Sequence, residues 1–556
     1  MTGAEMVVKA LEENGVTTIF GYPGAANCPI LDKVPDSAIK HILVRNEQGA
    51  AHMASGYARV TKRPGVCTAT SGPGATNLIT GIATAYMDSV PMIAITGQVV
   101  SKLLGRDAFQ EVDITGATHP FTKHNYLIRD GLDIPRVIDE AFYIASTGRP
   151  GPVLIDIPMD LLKASYEYPD GKKEPIVIRG YKPIGMGKAH EMQVKKVAEA
   201  IKESAKPVIL AGGGIVLSDA TKEFRAFVKQ TGIPVVTTMT GVGTIEGDND
   251  LHYGMIGSHG IKNANMTLNH SDLVIILGSR LGDRSVANAA GLEKRTKLIH
   301  IDIDPAEIGK NIFPDIPVVG DIKDVLTQLK PLLSDYKAPA EWKEYVDRIR
   351  RDWTFEEETE DNGFVNPRYF VKRLSEKTDS NAYVSTEVGQ NQIWVANNYK
   401  FTDPRHFITS AGFGTMGYGL PSAIGASVAA DETVIAVMGD GSFQMDLPEL
   451  GTMCQWNIPV KLIVLENHRL GMVHEHQFIN YKSNYYAVSL EGSPDFCKLA
   501  EAYGIPSMKI SENSEIDKGI DALLADKNSF MLVVEVDPFE QTGGALNSHH
   551  LPKGVE

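Results

Sequence analysis

Short, uninterrupted apolar runs recur from one end of the 556-residue chain to the other, each followed by a glycine turn or a helical stretch. IKHILVRNE (39–47), GVCTATSG (65–72), MIAITG (92–97) and GPVLIDIP (151–158) open the series. Residues 206–214, 272–280, 297–303, 433–439, 460–465 and 530–536 repeat it. A run that is apolar at every position has no face to give to water, so it reads as a parallel strand covered on both sides. Parallel neighbours need a crossover between them, usually a helix. The expected class is therefore α/β, with open parallel sheets throughout.

Two stretches break the rhythm. Residues 165–190 are rich in Pro, Gly and Lys, and residues 332–366 are dense in charge. Both read as linkers. They predict three domains, 1–165, 190–335 and 366–556, in keeping with about 100–200 residues per domain. The first and third blocks echo each other. From the glycine turn at Gly72 to Pro91 is 19 positions, and from Asp440 to Pro459 is also 19. With matched strand content, this predicts two related units flanking a third.

The net charge of −15 argues against a nucleic-acid or anionic-membrane partner. No apolar run reaches the ~18 residues of a membrane span, and the N-terminal MTGAEMVVKALEENGV reads as an amphipathic helix rather than a secretory signal. Cys28, Cys67, Cys454 and Cys497 form no CxxC or Cys/His cluster. Reduced thiols in a cytoplasmic protein are the expectation.

The third block carries the most specific chemistry. Gly439-Asp440-Gly441-Ser442 follows one buried strand, and Asn467 ends the next, 27 positions after Asp440. Glycines let backbone N–H groups approach an anion at a helix start. Asp440 and Asn467 offer hard oxygens of the kind Mg²⁺ takes while it bridges to phosphate. Two parallel strand ends joined by one helix put both on the carboxyl edge, where open α/β sheets bind ligands.

This pattern resembles the thiamine diphosphate motif, with Glu466 in place of the first Asn of its usual Asn-Asn pair. The resemblance implies Mg²⁺ held by Asp440, Asn467 and the main-chain carbonyl of Arg469. It implies that Glu47 donates a hydrogen bond to the aminopyrimidine, so that the cofactor can act as its own base. Met416 is implied as the wedge that bends the cofactor. Gly389, Gln390 and Asn391 are implied at the diphosphate, where the family often has His for Asn391. Gly414, Gly471 and Met472 complete the expected cofactor contacts.

Over essentially its full length the chain resembles acetolactate synthase catalytic subunits. FGYPGAANCPILD, EQGAAHMASGYAR, SGPGATNLITGIATA, GRDAFQE, GRPGPVLIDIP, FGTMGYGLPSAIGA and LGMVHEHQ carry the match, and DAFQE discriminates best. The resemblance implies decarboxylation of pyruvate and ligation of its two-carbon unit to a second 2-oxo acid, giving 2-acetolactate. It implies Phe109 and Gln110 facing the substrate and Arg284 holding the acceptor carboxylate. It implies an FAD-binding central domain with Arg149, Gly212, Gly213, Gly214, Gly278, Arg280, Asp302 and Asp321 at the flavin. It also implies a homodimer or homotetramer with shared sites, and a regulatory small subunit. Simple decarboxylases place His side chains near the cofactor, and this chain has no comparable His-His pair, which favours ligation. Another thiamine carboligase or lyase with a different acceptor, a flavin-linked 2-oxo acid oxidase and a non-catalytic scaffold remain alternatives.

Departures from the biosynthetic pattern gather in the expected substrate channel. His476 stands where Trp is usual, Met159 replaces a Lys and Val100 a Pro. The tail GGALNSHHLPKGVE lacks the family's Met-Val-Pro ending. These bear on acceptor choice, inhibitor binding and a biosynthetic role.

Overall fold

In the computed structural model, residues 1–168, 176–183, 188–353, 360, 361 and 363–543 are described. Three six-stranded sheets follow one another along the chain, and every paired strand is parallel to its neighbours. The first holds β1 (Thr18–Gly21), β2 (Lys40–Leu43), β3 (Gly65–Ala69), β4 (Met92–Gln98), β5 (His124–Leu127) and β6 (Pro152–Pro158). The central sheet holds β7 (Pro207–Ala211), β8 (Val235–Thr237), β9 (His252–Met255), β10 (Leu273–Leu277), β11 (Lys297–Asp302) and β12 (Ile316–Val319). The third holds β13 (Tyr383–Thr386), β14 (Phe407–Ile408), β15 (Val434–Gly439), β16 (Lys461–Glu466), β17 (Ser507–Ile510) and β18 (Phe530–Glu535).

The first sheet runs β2-β1-β3-β4-β6-β5 and the third β14-β13-β15-β16-β18-β17. These are the same order twelve strands apart, so the echo in the sequence corresponds to a repeated topology. The central sheet runs β12-β11-β10-β7-β8-β9, the order of a dinucleotide-binding doubly wound sheet. The order reverses between β7 and β10.

The first and third domains share one core. Phe20, Ala50, Met53 and Ile82 belong to the same buried cluster as Leu420, Ile424, Met438 and Phe443. Its centre is the crossing of helix Glu47–Thr61 with helix Gly419–Ala429. A Cβ at Gly425 would collide with the Met53 carbonyl, and one at Gly56 with the Ser422 carbonyl. Backbone meets backbone there, which only glycine permits. Part of the charged stretch 332–366 is helical: Ala340–Asp352 buries Trp342, Val346 and Ile349, with polar residues between them. The tail beyond residue 543 lies outside the described residues. No helix among them is long and apolar enough to cross a membrane.

Candidate active site

A cavity opens at the carboxyl edge of the third sheet, at its switch point between β13 and β15. Gly389, Gln390 and Asn391 reach it after β13, Gly439 to Ser442 after β15, and Asn467, Arg469, Gly471 and Met472 after β16. Met416, from the loop before helix Gly419–Ala429, completes the wall. Gly414 does not line it.

Asp440 is buried, and its carboxylate accepts the His468 N–H at 2.6 Å and the Gly441 N–H at 2.9 Å. Burial pushes its pKa up to about 6 against those two donors. A desolvated carboxylate held by two amide donors is set up to take a cation. Asn467 is anchored through Nδ2 to Gln390 Oε1 at 3.2 Å, while its Oδ1 accepts the Arg469 N–H at 3.1 Å. Among the described residues no group of three or more His, Cys, Asp and Glu is placed to hold a metal. A cation here would take one carboxylate, one amide oxygen and a main-chain carbonyl, a set suited to Mg²⁺. Asn391 Oδ1 is buried without a partner on the same wall. A Cβ at Gly471 would collide with Gln390 Oε1. The residues present therefore fit a metal-bridged diphosphate.

Glu47 opens helix Glu47–Thr61 and is buried. Its carboxylate accepts the Asn77 amide at 2.9 Å, with Gly74 beside its other oxygen. It does not line the cavity that holds Asp440. Phe109 is 88% exposed, and Gln110 adopts a left-handed φ of 58° beneath the Gly72 turn. His476 is exposed and pairs with Asn480 and the edge of Tyr481.

In the central domain, the Gly212–Gly214 turn after β7 packs backbone to backbone against Gly278 after β10, straddling the switch point. Asp302 ends the adjacent β11, and burial raises its pKa to about 6. Arg149 is engaged by Glu307 at 2.6 Å and Asp304 at 3.3 Å. The Arg280 guanidinium lies against Gly412. The Asp321 side chain caps helix Ile322–Leu332. Arg284 is well exposed, beside Asp283.

Sequence reasoning missed three buried acids between the first and third domains. Glu387 accepts the N–H groups of Gly417, Tyr418, Gly419 and Leu420, capping helix Gly419–Ala429. Glu449 accepts the N–H groups of Arg45 and Asn46, immediately before Glu47. Asp446 lies among them, and burial together with the neighbouring Glu387 and Glu449 carboxyls holds its pKa well above the usual range. Their partners come together only in the fold, as Arg45 and Asn46 do for Glu449, so no local pattern marks them. Asn77 was missed for the same reason, although SGPGATN was singled out.

Comparison with known proteins gives three family matches along the chain. Residues 1–117 match the N-terminal TPP binding domain of thiamine pyrophosphate enzymes, residues 194–329 their central domain, and residues 387–535 their C-terminal TPP binding domain. The probable acetolactate synthase large subunit of Methanocaldococcus jannaschii is 44% identical over 574 residues, covering 100% of this chain and 96% of that protein. The acetolactate synthase large subunit of Haemophilus influenzae is 41% identical, covering 100% and 99%. The acetolactate synthase isozyme 2 large subunit of Escherichia coli is 39% identical and covers both chains fully.

Proposed function

The chain belongs to the acetolactate synthase large-subunit family of thiamine pyrophosphate enzymes, and from that membership we propose how its own residues divide the work. The reaction is formation of 2-acetolactate from two molecules of pyruvate with thiamine diphosphate as cofactor. When bound, the cofactor supplies a ring carbon that accepts the first 2-oxo acid, allows CO₂ to leave and passes the two-carbon unit to the second.

Mg²⁺ is held by Asp440, Asn467 and the Arg469 carbonyl, and the diphosphate lies against Gln390, Asn391 and the Gly439–Ser442 turn. Met416 would serve as the wedge against the cofactor. Glu47, steadied by Asn77, would donate a hydrogen bond to an aminopyrimidine held by a second copy of the chain. Phe109 and Gln110 shape the substrate side, and Arg284 holds the acceptor carboxylate through a charge-assisted pair. FAD would lie at the switch point of the central sheet, over the closely packed Gly212–Gly214 turn and Gly278. The enzyme works in the cytoplasm as a homo-oligomer and takes a regulatory small subunit, as the words "large subunit" in its relatives' names suggest.

The observation that carries the cofactor reading is the buried Asp440 carboxylate, held by two amide donors at the cavity floor. Asp440→Ala removes the one carboxylate of the set and leaves the diphosphate charge under-neutralised. The variant should fold but lose thiamine diphosphate on gel filtration. Cofactor that stays with the protein would refute the assignment.

A further inference from the structure

Asn467 can offer a cation its side-chain oxygen, but an amide ends in an oxygen and an NH₂ of nearly the same size. Which of the two faces the cavity is decided by the groups around it. Oδ1 accepts the Arg469 N–H at 3.1 Å, which leaves its second lone pair for a cation. Nδ2 donates to Gln390 Oε1 at 3.2 Å. That bond has the right sense only while Gln390 presents its own oxygen, so the orientation of one amide depends on that of a second.

Gln390 is fixed from its other end. Its Nε2 donates to Glu475 Oε2 at 3.0 Å and to the Glu540 main-chain carbonyl at 2.7 Å. A carboxylate only accepts, so a turned Gln390 would set oxygen against oxygen at Glu475 and NH₂ against NH₂ at Asn467. Glu475 is held in its turn. It lies buried in helix Gly471–Asn480 and accepts the Thr542 N–H at 3.0 Å and the Thr542 hydroxyl at 2.7 Å. Gln390 and Asn467 are buried as well, and Gly471 makes room for their two amides to meet. A Cβ there would collide with Gln390 Oε1 and crowd Asn467 Nδ2. Away from water a mismatched amide has no solvent to turn to, so each step of this relay is strongly enforced. Glu475 itself does not line the cavity.

We propose that Glu475 is a positioning residue for the metal centre: through Gln390 it turns the Asn467 oxygen toward the cation. This rests on the metal reading given above. Groups that orient a metal ligand typically matter by about 10–100-fold in metal affinity. An anchor for the Thr542 segment alone would act without regard to Gln390.

Mn²⁺, which takes oxygen ligands as Mg²⁺ does, is the probe. Free Mn²⁺ is read by electron paramagnetic resonance as it is titrated into the full chain in saturating thiamine diphosphate. Glu475→Leu and Glu475→Ala should each weaken Mn²⁺ binding by about tenfold or more, and either folded chain suffices. Glu475→Gln keeps an oxygen for Gln390 and the Thr542 N–H, and its NH₂ can donate to the Thr542 hydroxyl, so affinity should stay within about twofold of the unsubstituted chain. Gln390→Met breaks the relay one step earlier. Adding Glu475→Leu to it should cost nothing more, whereas independent effects would add. The proposal is overturned if the leucine and alanine chains bind Mn²⁺ normally, if Glu475→Gln is as weak as they are, or if the losses at positions 390 and 475 add. Asp440→Ala tests the metal reading separately and should lose Mn²⁺ uptake. Full uptake in that chain would refute the metal site itself, while loss there with normal binding in the Glu475 variants would refute only the role of Glu475.

Discussion

Asp156 lies within β6 with both carboxyl oxygens engaged, by the Thr96 hydroxyl at 2.7 Å and the Gln98 amide at 2.9 Å. Burial outweighs those donors and pushes its pKa up to about 7 from 3.8. The folded state thus holds this proton to higher pH than the unfolded chain does. The group's stabilisation is complete below about pH 4 and is lost as pH rises through about 7. A shift of that size corresponds to a few kcal/mol, at roughly 1.4 kcal/mol per unit. Asp156→Asn should flatten the fall in melting temperature between about pH 4 and 7; an unchanged slope would assign the dependence to other groups. His476 tests a different side-chain property. Its small polar ring offers less apolar surface than Trp, and one substrate methylene is worth about 1–3 kcal/mol in a well-formed apolar pocket. Pyruvate should therefore compete well with an equal concentration of 2-oxobutyrate as acceptor. His476→Trp should move the product ratio toward acetohydroxybutyrate; a ratio that does not move would place His476 outside acceptor selection. At this scale the sequence was informative where chemistry forces a local pattern. Asp440 stands between two glycines after a buried strand, and its cavity also gathers Gln390, Asn391, Asn467 and Met472. Glu387, Asp446 and Glu449 act through partners far along the chain, such as Arg45 for Glu449, and nothing beside them announces it.

Helix Gly419–Ala429 shows how packing overrides propensity in a whole element. An Ala in a helix interior is worth about 1 kcal/mol over Gly. At Gly425 the added methyl would meet the Met53 carbonyl, and backbone cannot rotate away as a side-chain end can. The crossing would have to open and would loosen the core that joins the first and third domains. Gly425→Ala should therefore destabilise, by about 1–3 kcal/mol as overpacking does, when followed by chemical denaturation. A stabilised variant would show that the crossing is not tight. Legibility among the strands also follows burial. β3, β4, β6, β7, β10, β15 and β16 are buried along almost all their lengths, and each appears in the sequence as a solid apolar run. Of the strands not foreseen, five lie at sheet edges, and three, β1, β8 and β13, are interior and largely buried but only three or four residues long. β5, β12 and β17 expose part of each strand, β9 is also only partly buried, and β14 has two residues. An edge strand is covered less, so its sequence carries less apolar signal.

At the scale of the whole molecule, the two halves of the expected machinery stay apart within one chain. Asp440, Asn467 and Met416 share a cavity that Glu47 does not line. Glu47 is held instead by Asn77, and the residues before it by Glu449. Large apolar side chains are meanwhile left in water on the segments that carry site residues: Phe109 beside Gln110, Phe413 beside Gly414, and Met445 shortly after the Gly439–Ser442 turn. Exposed apolar surface of this kind is covered when a partner docks. In a two-fold dimer each copy would lend its Glu47 to the other's Asp440 cavity, and both sites would be equivalent. Chains carrying Glu47→Gln alone, or Asp440→Ala alone, should each be inactive. In a mixed dimer one site receives both substitutions and the other receives neither. Equal mixing with random re-pairing makes half the dimers mixed, so about one quarter of the sites should be intact. Activity should return to about that fraction of the unsubstituted enzyme after the two inactive preparations are dissociated and re-associated together. If mass measurement verifies mixed dimers and no activity returns, Glu47 and Asp440 serve one site within a single chain.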